Sequence, residues 1–292
     1  MTSTITGTTR LTAVLGSPIQ HSISPQMHNE AFRILNLDYA YLAFDIDTNT
    51  LPAAVEALKT LHARGYNLTM PNKNLMCNLC DHLSPAARII GAVNTVVDDN
   101  GILTGHTTDG TGYMMSVKDA GFDIIGKKMT LLGVGGAATS IMVQAALDGL
   151  SEISVFCRPE SRFLERTKKI ISDLNEQTAC RVRLFHYDDS LLKRELSDSA
   201  ILTNATSVGM TPNETDSLIT DPSMFHPELV VSDIIYHPFK TRLMQIAESA
   251  GCPTFNGLYM LLYQGAEAFR LWTGVDMPVQ PIKEKYFSHP LR

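Results

Sequence analysis

The stretch LLGVGGAATS, residues 131–140, contains small residues at a spacing that restricts how the surrounding chain can fold. It reads G-x-G-x-x-A as Gly133, Gly135 and Ala138, directly after an apolar run and before a helical pattern. In such a unit the first glycine permits a tight turn, the second lets the backbone approach a pyrophosphate, and the small third residue lets helix and strand pack closely. A tight structural turn is the alternative, but the flanking strand and helix are what the dinucleotide motif requires. The stretch therefore predicts a dinucleotide-binding βαβ unit.

From Lys127 onward, strand and helix patterns alternate regularly. The apolar runs are KKMTLLG, EISVFC, CRVRLFH, SAILTNAT, LVVSDIIY and PTFNG, and each of the first three is followed by a helical stretch. Alternation at this spacing predicts a parallel, doubly wound sheet with right-handed crossovers. The predicted fold class is therefore α/β, with a Rossmann-type dinucleotide-binding domain over residues 113–256.

The N-terminal third also alternates, with one antiparallel excursion. LTAVLG, YAYLAFDI and YNLTM have strand patterns, and GAVNTVVDDNGILTGHTT predicts a hairpin that turns at Asp99-Asn100-Gly101. One helix is expected to open at Pro25 behind Ser24 as its N-cap. A second helix is expected to share one face among Leu51, Val55, Leu58 and Leu61. We predict an α/β substrate-binding domain over residues 1–112, completed by C-terminal helices over 257–292 that include the long apolar stretch LYMLLYQGAEAFRLWTG.

Composition excludes several classes of function. The net charge of -6, the pI of about 5.8 and the lack of any Lys/Arg-rich block argue against nucleic-acid or membrane-surface binding. No apolar run approaches the roughly 18 residues that span a bilayer, and the polar N-terminus MTSTITGTTR predicts a short disordered leader rather than a signal peptide. Five scattered cysteines predict reduced thiols in a cytoplasmic protein. Cys77 and Cys80 form an isolated C-x-x-C in an apolar setting, so we predict no metal site.

Polar residues follow the predicted strands of the N-terminal domain. In YNLTMPNKNL, residues 66–75, a single lysine comes directly after a strand and behind Met70-Pro71. Ligands of α/β sheets collect outside the carboxyl ends of strands. Residues expected to line one such crevice are Ser22, Ser24, Thr69, Lys73, Asn94, Thr108 and Asp109. Each has an ordinary explanation as a surface lysine, helix cap, loop amide or turn acid, but together they suit a small polyhydroxylated anion.

These stretches resemble the shikimate dehydrogenase family from residue 11 to about 275. The matching blocks are GSPIQHSISPQMHN, NLTMPNK, GAVNT, TDGTG, GVGGA, NATSVGM, DIIYHPFKTRL and GLYMLLYQGAEAF, and MPNK, LSPAAR and TDGTG resemble the quinate/shikimate branch. The resemblance implies an NAD(P)-dependent oxidoreductase that interconverts shikimate and 3-dehydroshikimate, or quinate and 3-dehydroquinate, in the chorismate pathway of aromatic amino acid biosynthesis. A homodimer is among the assemblies that the sequence allows.

The resemblance also implies roles for individual residues. Ser22 and Ser24, supported by Tyr236, hold the substrate carboxylate. The residues implied to contact ring hydroxyls are Thr69, Asn94, Asp109 and Gln264, with Thr108 beside them. Lys73 and Asp109 form the catalytic pair. The residues implied to hold the pyrophosphate of the dinucleotide are Gly133, Gly135, Gly136 and Ala137. Those implied to lie near the rest of the dinucleotide are Asn204, Thr206 and Gly257.

The chemistry supports this pair independently. Oxidation of a secondary alcohol removes the hydroxyl proton as hydride leaves, and a positioned ammonium can stabilise the developing alkoxide without a metal. The sequence leaves open which residue takes the proton, but we favour Lys73, with Asp109 orienting it. Thr107 stands where the family usually has Asn, which removes an amide beside Asp109.

The residues that follow the second strand of the dinucleotide-binding unit bear on the cofactor preference. The strand that usually ends in a ribose-binding acid here ends in Cys157, followed by Arg158, Pro159 and Glu160. Arg158 suits a 2′-phosphate or adenine stacking, whereas Glu160 suits the free ribose hydroxyls of NAD. Arg162 is expected on the outer face of the next helix. Since Pro159 has no N–H to donate, NAD is slightly favoured over NADP.

Two rival functions remain. Another two-domain dehydrogenase, acting on amino acids or folates, would not explain S-x-S, T-x-P-x-K and T-D together. A non-catalytic sensor of shikimate-like ligands would not need Lys73 and Asp109.

Overall fold

The computed structural model describes residues 5–287, which divide into two compact units. One unit is Asp109–Leu261, and the other contains the described residues up to Thr108 and from Leu262. Of the predicted N-terminal leader, residues 1–4 lie outside the described residues, whereas Thr8 and Thr9 each donate a hydrogen bond of 2.6 Å to Asp38. The functional domains predicted over 1–112 with 257–292 and over 113–256 stay predictions, because compactness alone assigns no binding role.

The first unit contains a mixed six-stranded sheet. Its strands are β1 (Arg10–Gly16), β2 (Tyr39–Asp45), β3 (Gly65–Leu68), β4 (His82–Leu83), β5 (Thr95–Asp99) and β6 (Ile102–His106). They lie in the order β2-β1-β3-β5-β6-β4, with β5 antiparallel to both β3 and β6. Asn100 and Gly101 have φ angles of 56° and 88°, which a tight hairpin turn requires. The predicted hairpin is therefore confirmed.

Three helices interrupt these strands, and two of their predicted details are wrong. The helices are α1 (Ser24–Ile34), α2 (Leu51–Thr60) and α3 (Pro85–Ile90), with a 3₁₀ turn at Leu75–Asn78. Ser24 is the first helical residue of α1 rather than its N-cap, and no side chain caps that helix. Leu51, Val55 and Leu58 are buried as predicted, but Leu61 lies beyond the end of α2 and is 64% exposed.

The second unit contains a six-stranded parallel sheet. Its elements in chain order are α4 (Asp109–Asp119), β7 (Lys128–Leu132), α5 (Gly136–Leu147), β8 (Glu152–Cys157), α6 (Leu164–Gln177), β9 (Arg181–His186), α7 (Asp189–Leu196), β10 (Ile201–Asn204), a 3₁₀ turn (Pro222–Met224), β11 (Val230–Asp233), α8 (Arg242–Ser249) and β12 (Thr254–Asn256). The strand order is β12-β11-β10-β7-β8-β9. This is the doubly wound order, whose direction reverses between β7 and β10. The predicted Rossmann-type sheet is confirmed.

Helix α4 was not predicted. Gly110 and Gly112 lower the helix propensity of its first turn, but a Cβ at Gly110 would overlap the Ser140 carbonyl oxygen and lie 2.5 Å from Gln144 Cβ. Close packing of α4 on α5 therefore requires glycine at position 110. The same glycine disfavours a helix when only the local sequence is considered.

The last two helices of the described residues are α9 (Leu258–Thr273) and α10 (Val279–Tyr286). Within the first unit, Trp272 of α9 is 1% exposed and donates from Nε1 to the Val96 carbonyl oxygen at 2.9 Å. Its ring also packs near His28 and Tyr41, at centroid distances of 5.3 and 5.9 Å. The apolar C-terminal helix thus completes the core around the N-terminal sheet.

Candidate active site

Lys73 extends from a loop whose backbone is attached to its neighbours at several points. Thr69 N donates to Leu15 O and Ser17 N donates to Met70 O, both at 3.0 Å. Further along the loop, the Lys73 carbonyl oxygen accepts from Val93 N at 2.9 Å. Lys73 itself is half-buried. The loop therefore presents the lysine from a well-defined backbone position.

Gly16, at the end of β1, makes this arrangement possible. A Cβ at this position would overlap Thr69 Cγ2 and lie 3.1 Å from the Met70 carbonyl oxygen. Sequence reasoning did not single out Gly16, although the small residue at the end of the strand was a visible signal of close backbone approach.

Asn94 and Thr108 belong to one buried hydrogen-bond network in the first unit. Asn94 Oδ1 accepts from Thr108 N at 2.8 Å, and Asn94 Nδ2 donates to Thr108 Oγ1 at 3.1 Å. Thr95 Oγ1 also donates to Asn94 Oδ1, at 3.0 Å. Asn67 Nδ2 donates to Thr95 Oγ1 at 2.9 Å, and Tyr41 OH donates to Asn67 Oδ1 at 2.7 Å. Because all five side chains are buried, these bonds restrict the orientation of the Asn94 amide.

Sequence reasoning gave no functional role to Tyr41, Asn67 or Thr95. Asn67 and Thr95 lie in buried strands, and Tyr41 is the one buried residue of β2; at such positions an unpaired polar group is unfavourable. A polar residue type at a buried position was the signal that each of these side chains has a hydrogen-bond partner. The sequence does not show which polar groups pair.

The two predicted carboxylate serines lie at the start of α1. Ser22 Oγ accepts from Ser24 N at 3.3 Å, and the Ser24 side chain hydrogen-bonds to Tyr41. Burial raises the pKa of Tyr41 well above its ordinary value, and the bond to Ser24 opposes that rise. Ser24 is therefore joined to the Asn94 network through Tyr41 and Asn67, in place of the capping role predicted for it.

His28, one turn further along α1, packs against the Tyr41 ring. The two rings stack with centroids 4.4 Å apart and planes inclined by 10°. Burial lowers the pKa of His28 to about 3, so the imidazole is neutral at physiological pH. A neutral, fully buried ring at this position acts as a packing surface for Tyr41.

The remaining predicted substrate residues lie in different environments. Gln264 is half-buried on α9, beside Gly265, where a Cβ would overlap the Met27 side chain of α1. Asp109 is half-buried at the start of α4, directly after Thr108. Tyr236 is 38% exposed in the second unit. The structure therefore brings together Asn94 with Thr108 and Ser22 with Ser24, each pair within the first unit.

The glycine-rich loop has the shape that a pyrophosphate requires. Gly133 has a φ of +108°, and a Cβ there would lie 2.9 Å from both Ala205 O and Thr206 Cγ2. A Cβ at Gly135 or Gly136 would meet no heavy atom within 4 Å. Helix α5 begins at Gly136 without a side-chain cap, so the N–H groups of its first turn, including that of Ala137, suit an anion. These residues fit the dinucleotide predicted from the sequence.

The residues predicted to bind the adenosine end of the cofactor lie at and after the end of β8. Cys157 is 2% exposed at the end of β8, and burial raises the pKa of its thiol. Arg158 and Glu160 are both exposed. The expectation that Arg162 lies on the next helix is wrong, because α6 begins at Leu164 and the Arg162 guanidinium lies over the Phe163 ring at 4.7 Å.

Within the described residues, no group of three or more His, Cys, Asp or Glu side chains could hold a metal ion. Burial raises the pKa of Cys77 and raises that of Cys80 to about 12, so both thiols stay protonated at neutral pH. None of the helices in residues 5–287 is both long and apolar enough to cross a bilayer.

Comparison with known proteins gives consistent results over nearly the whole chain. The family description "Shikimate dehydrogenase substrate binding domain" matches residues 14–96, and "Shikimate 5'-dehydrogenase C-terminal domain" matches residues 257–285. The chain is 52% identical over 288 residues to shikimate dehydrogenase (NADP(+)) of Listeria monocytogenes serotype 4b (strain F2365), covering 98% of this chain and 99% of the relative. It is 45% identical over 281 residues to quinate/shikimate dehydrogenase of Escherichia coli (strain SMS-3-5 / SECEC), covering 96% and 97%.

A solved structure agrees with these sequence matches. It is the crystal structure of shikimate 5-dehydrogenase from Listeria monocytogenes in complex with shikimate and NAD. It matches this chain with a TM-score of 0.93 and 52% identity, covering 97% of this chain and 98% of that chain.

Proposed function

The chain belongs to the shikimate dehydrogenase family, and on that premise we propose that it interconverts shikimate and 3-dehydroshikimate, or quinate and 3-dehydroquinate. It is an NAD(P)-dependent oxidoreductase, and its place in aromatic amino acid biosynthesis follows from the family. The observation that carries this conclusion is 52% identity over 98% of the chain to a shikimate dehydrogenase. The quinate alternative rests on the 45% identical quinate/shikimate dehydrogenase.

We assign the proton transfer to Lys73 and Asp109. When bound, the nicotinamide accepts or returns the hydride. As the alcohol is oxidised, the neutral amine of Lys73 takes the hydroxyl proton and becomes an ammonium, and Asp109 orients the lysine and the hydroxyl. The half-buried position of Lys73 on its hydrogen-bonded loop supports this assignment, because a general base needs a defined position.

The same proposal assigns the remaining side chains by substrate group. Ser22 and Ser24 bind the carboxylate with support from Tyr236, while Thr69, Asn94, Thr108 and Gln264 select the ring hydroxyls. The dinucleotide is assigned to Gly133, Gly135, Gly136, Ala137, Asn204, Thr206 and Gly257. The network that restrains Asn94 supports its role, since a fixed amide orientation distinguishes donors from acceptors on a ring.

One assay tests the proposed function. Shikimate and quinate are each combined with NAD and with NADP, and cofactor reduction is followed by absorbance. Turnover of either acid is expected. A non-catalytic sensor would bind the acid without turnover, and a dehydrogenase of another class would turn over amino acids or folates instead. Either result would refute the proposal.

Ser24→Ala is expected to raise the KM for the acid roughly 10- to 150-fold, because a hydrogen bond to a charged group contributes about 1.5–3 kcal/mol. Ser22→Ala should act in the same direction. Steady-state kinetics measure the change. Ser24 does not cap α1 but does hydrogen-bond to Tyr41, so the melting temperature is measured alongside and should fall only by the loss of one hydrogen bond. If both variants keep the wild-type KM, the carboxylate binds elsewhere.

We also propose that NAD is used at least as well as NADP. One Listeria monocytogenes relative is named for NADP(+), and another was solved with NAD. In this chain Arg158 and Glu160 are both exposed at the end of β8, with Pro159 between them. A carboxylate near the ribose accepts from free hydroxyls and repels a phosphate dianion.

Glu160→Ala is expected to shift the ratio of kcat/KM values toward NADP, because it removes the acid and leaves Arg158. The ratio is measured with both cofactors at saturating acid. Glu165→Ala is a suitable control, since that exposed carboxylate pairs with Lys168 at 2.7 Å on α6. Strict NADP dependence of the wild type, with no shift in Glu160→Ala, would show that Arg158 governs the preference.

A cellular location and an oligomeric state complete the proposal. A cytoplasmic location is proposed from the odd number of scattered cysteines, all five of which are free thiols. A homodimer stays a prediction, which light scattering on the purified protein would test.

A further inference from the structure

A buried carboxylate without an assigned role ends β11. Asp233 is 0% exposed, and burial raises its pKa, opposed by the hydrogen bonds that it accepts. Asn204 Nδ2 donates to its Oδ2 at 3.1 Å, and Thr241 Oγ1 donates to the same atom at 2.8 Å. Its Oδ1 accepts from Ile235 N at 3.0 Å. Burying a carboxylate is unfavourable unless such bonds offset the loss of water, so the position requires an explanation.

The bond to Asn204 leads directly to the glycine-rich loop. Asn204 Oδ1 accepts from both Thr206 N, at 3.1 Å, and Thr206 Oγ1, at 2.8 Å. Thr206 in turn lies against Gly133, where a Cβ would approach Thr206 Cγ2 to 2.9 Å. A chain of contacts thus runs from Asp233 through Asn204 and Thr206 to the first glycine of the predicted dinucleotide motif.

The chemistry of Asp233 determines how Asn204 is oriented. An ionised carboxylate only accepts hydrogen bonds, whereas an amide has one donor end and one acceptor end. Asp233, together with the Val208 carbonyl oxygen that accepts from the same Nδ2 at 3.3 Å, therefore fixes the donor end of Asn204 and leaves Oδ1 facing Thr206. If the Asn204 amide turned over, its NH₂ group would face the two Thr206 donor groups.

The other two bonds hold the loop after β11. Thr241 caps α8 by accepting from Met244 N, at 3.4 Å, while its Oγ1 donates to Asp233. Ile235 N donates to Asp233 at the start of the segment that includes Tyr236. In doubly wound sheets, loops at the carboxyl ends of strands near the reversal of strand order form the ligand crevice. Asp233 thus connects loops that follow two neighbouring strands, β10 and β11.

We propose that Asp233 is a positioning residue for the dinucleotide: it orients Asn204 so that Thr206 is held against the glycine-rich loop. It acts through these side chains and does not touch the cofactor. The inference rests on the proposed function, because it requires a bound dinucleotide. A role in stability alone is the competing explanation, and it predicts no change in the affinity of the folded protein.

Asp233→Asn tests this by replacing one acceptor oxygen with a donor of nearly the same size. Whichever way the new amide turns, its NH₂ group faces a donor, either Ile235 N or Asn204 Nδ2 with Thr241 Oγ1, so the contact that orients Asn204 is weakened. We expect the dissociation constant of the dinucleotide, measured by calorimetric titration, to rise roughly tenfold. At saturating cofactor, kcat should stay within about twofold of wild type. An unchanged dissociation constant in the folded variant would overturn the proposal.

Exchanging the carboxylate and the amide between positions 233 and 204 tests whether dinucleotide affinity can be restored. Asn204→Asp alone places two carboxylates against each other and is expected to weaken binding. In the double variant Asp233→Asn/Asn204→Asp, the amide at position 233 donates to the carboxylate at position 204, whose other oxygen still accepts from Thr206. Affinity should exceed that of Asn204→Asp alone by about threefold or more without reaching that of wild type, because position 204 is itself assigned to the dinucleotide and its carboxylate would face the Val208 carbonyl oxygen. If Asp233→Asn does not fold, a folded double variant that binds as weakly as Asn204→Asp alone would still refute the proposal.

Glu195→Gln is the matched control. Glu195 is another buried carboxylate of the same unit, and it accepts from Ser154 Oγ and from Lys128 Nζ. Lys128 is the first residue of β7, whereas the glycine-rich loop follows the last residue of that strand. This variant should lower the melting temperature and leave dinucleotide affinity unchanged. A wild-type protein that binds neither NAD nor NADP would refute the proposed function, whereas normal wild-type binding with an unaffected Asp233→Asn refutes only the positioning role.

Discussion

Replacement of Lys73 with alanine is expected to lower kcat by roughly 10²–10⁴-fold, the usual range for loss of a positioned acid or base. The structural damage should be small, because the loop is held by backbone bonds such as Val93 N to Lys73 O, which alanine keeps. The KM for the dinucleotide should change much less than kcat, since Lys73 is assigned to the substrate. Steady-state kinetics with shikimate and quinate measure both values.

Two further lysine variants sharpen this test. Lys73→Arg keeps the positive charge but cannot release a proton near neutral pH, so it should remain slow if proton transfer is the role. Lys59→Ala removes a lysine of similar exposure from α2 and should retain full activity. Turnover close to wild type in Lys73→Ala would refute the catalytic assignment.

Trp272→Ala is expected to lower the free energy of unfolding by about 3–5 kcal/mol, as large aromatic truncations in a core do. The indole is 1% exposed and donates to the Val96 carbonyl oxygen, which would lose its partner. A Cβ at Gly65 would overlap the indole, so Trp272 packs directly on the backbone of β3. Rigid backbone cannot easily fill the space that the substitution leaves.

Circular dichroism during urea unfolding is the appropriate measurement, because Trp272 is the single tryptophan and its removal abolishes that fluorescence signal. Trp272→Phe is the control: it keeps an aromatic ring near Tyr41 and His28 and should lose a smaller amount. A loss below about 1 kcal/mol in Trp272→Ala would contradict the packing described for α9.

Local sequence patterns were sufficient to predict the parallel sheet and the glycine-rich loop of the second unit. Strands buried on both faces of a parallel sheet appear as continuous apolar runs, and β8 has this form, with residues 153–157 all buried. Gly133 was identified because its backbone conformation, with φ of +108°, is one that glycine adopts readily. The doubly wound topology follows from the order of such runs, since crossovers between parallel strands are right-handed.

Patterns failed where a residue's role depends on a partner distant in sequence. Ser24 has the composition of a helix cap, yet it is the first residue of α1 and hydrogen-bonds to Tyr41. Helix α4 was missed because the packing that requires Gly110 involves α5. Leu61 fits the period of α2 but lies beyond its end. For Ser24 and Gly110 a tertiary contact outweighed the local preference, whereas for Leu61 the apolar period continues in the sequence past the residue at which the helix ends.

The sequence alone determined the fold class, the glycine-rich loop and the family, because these depend on residue order and on conformations that few residue types can adopt. Tertiary structure decided which polar groups pair inside the protein. Asn67 with Tyr41 and Asp233 with Asn204 lie 26 and 29 residues apart along the chain. A buried donor or acceptor must find a partner, but its identity depends on strand order and register, which bring distant residues to the same edge of a sheet.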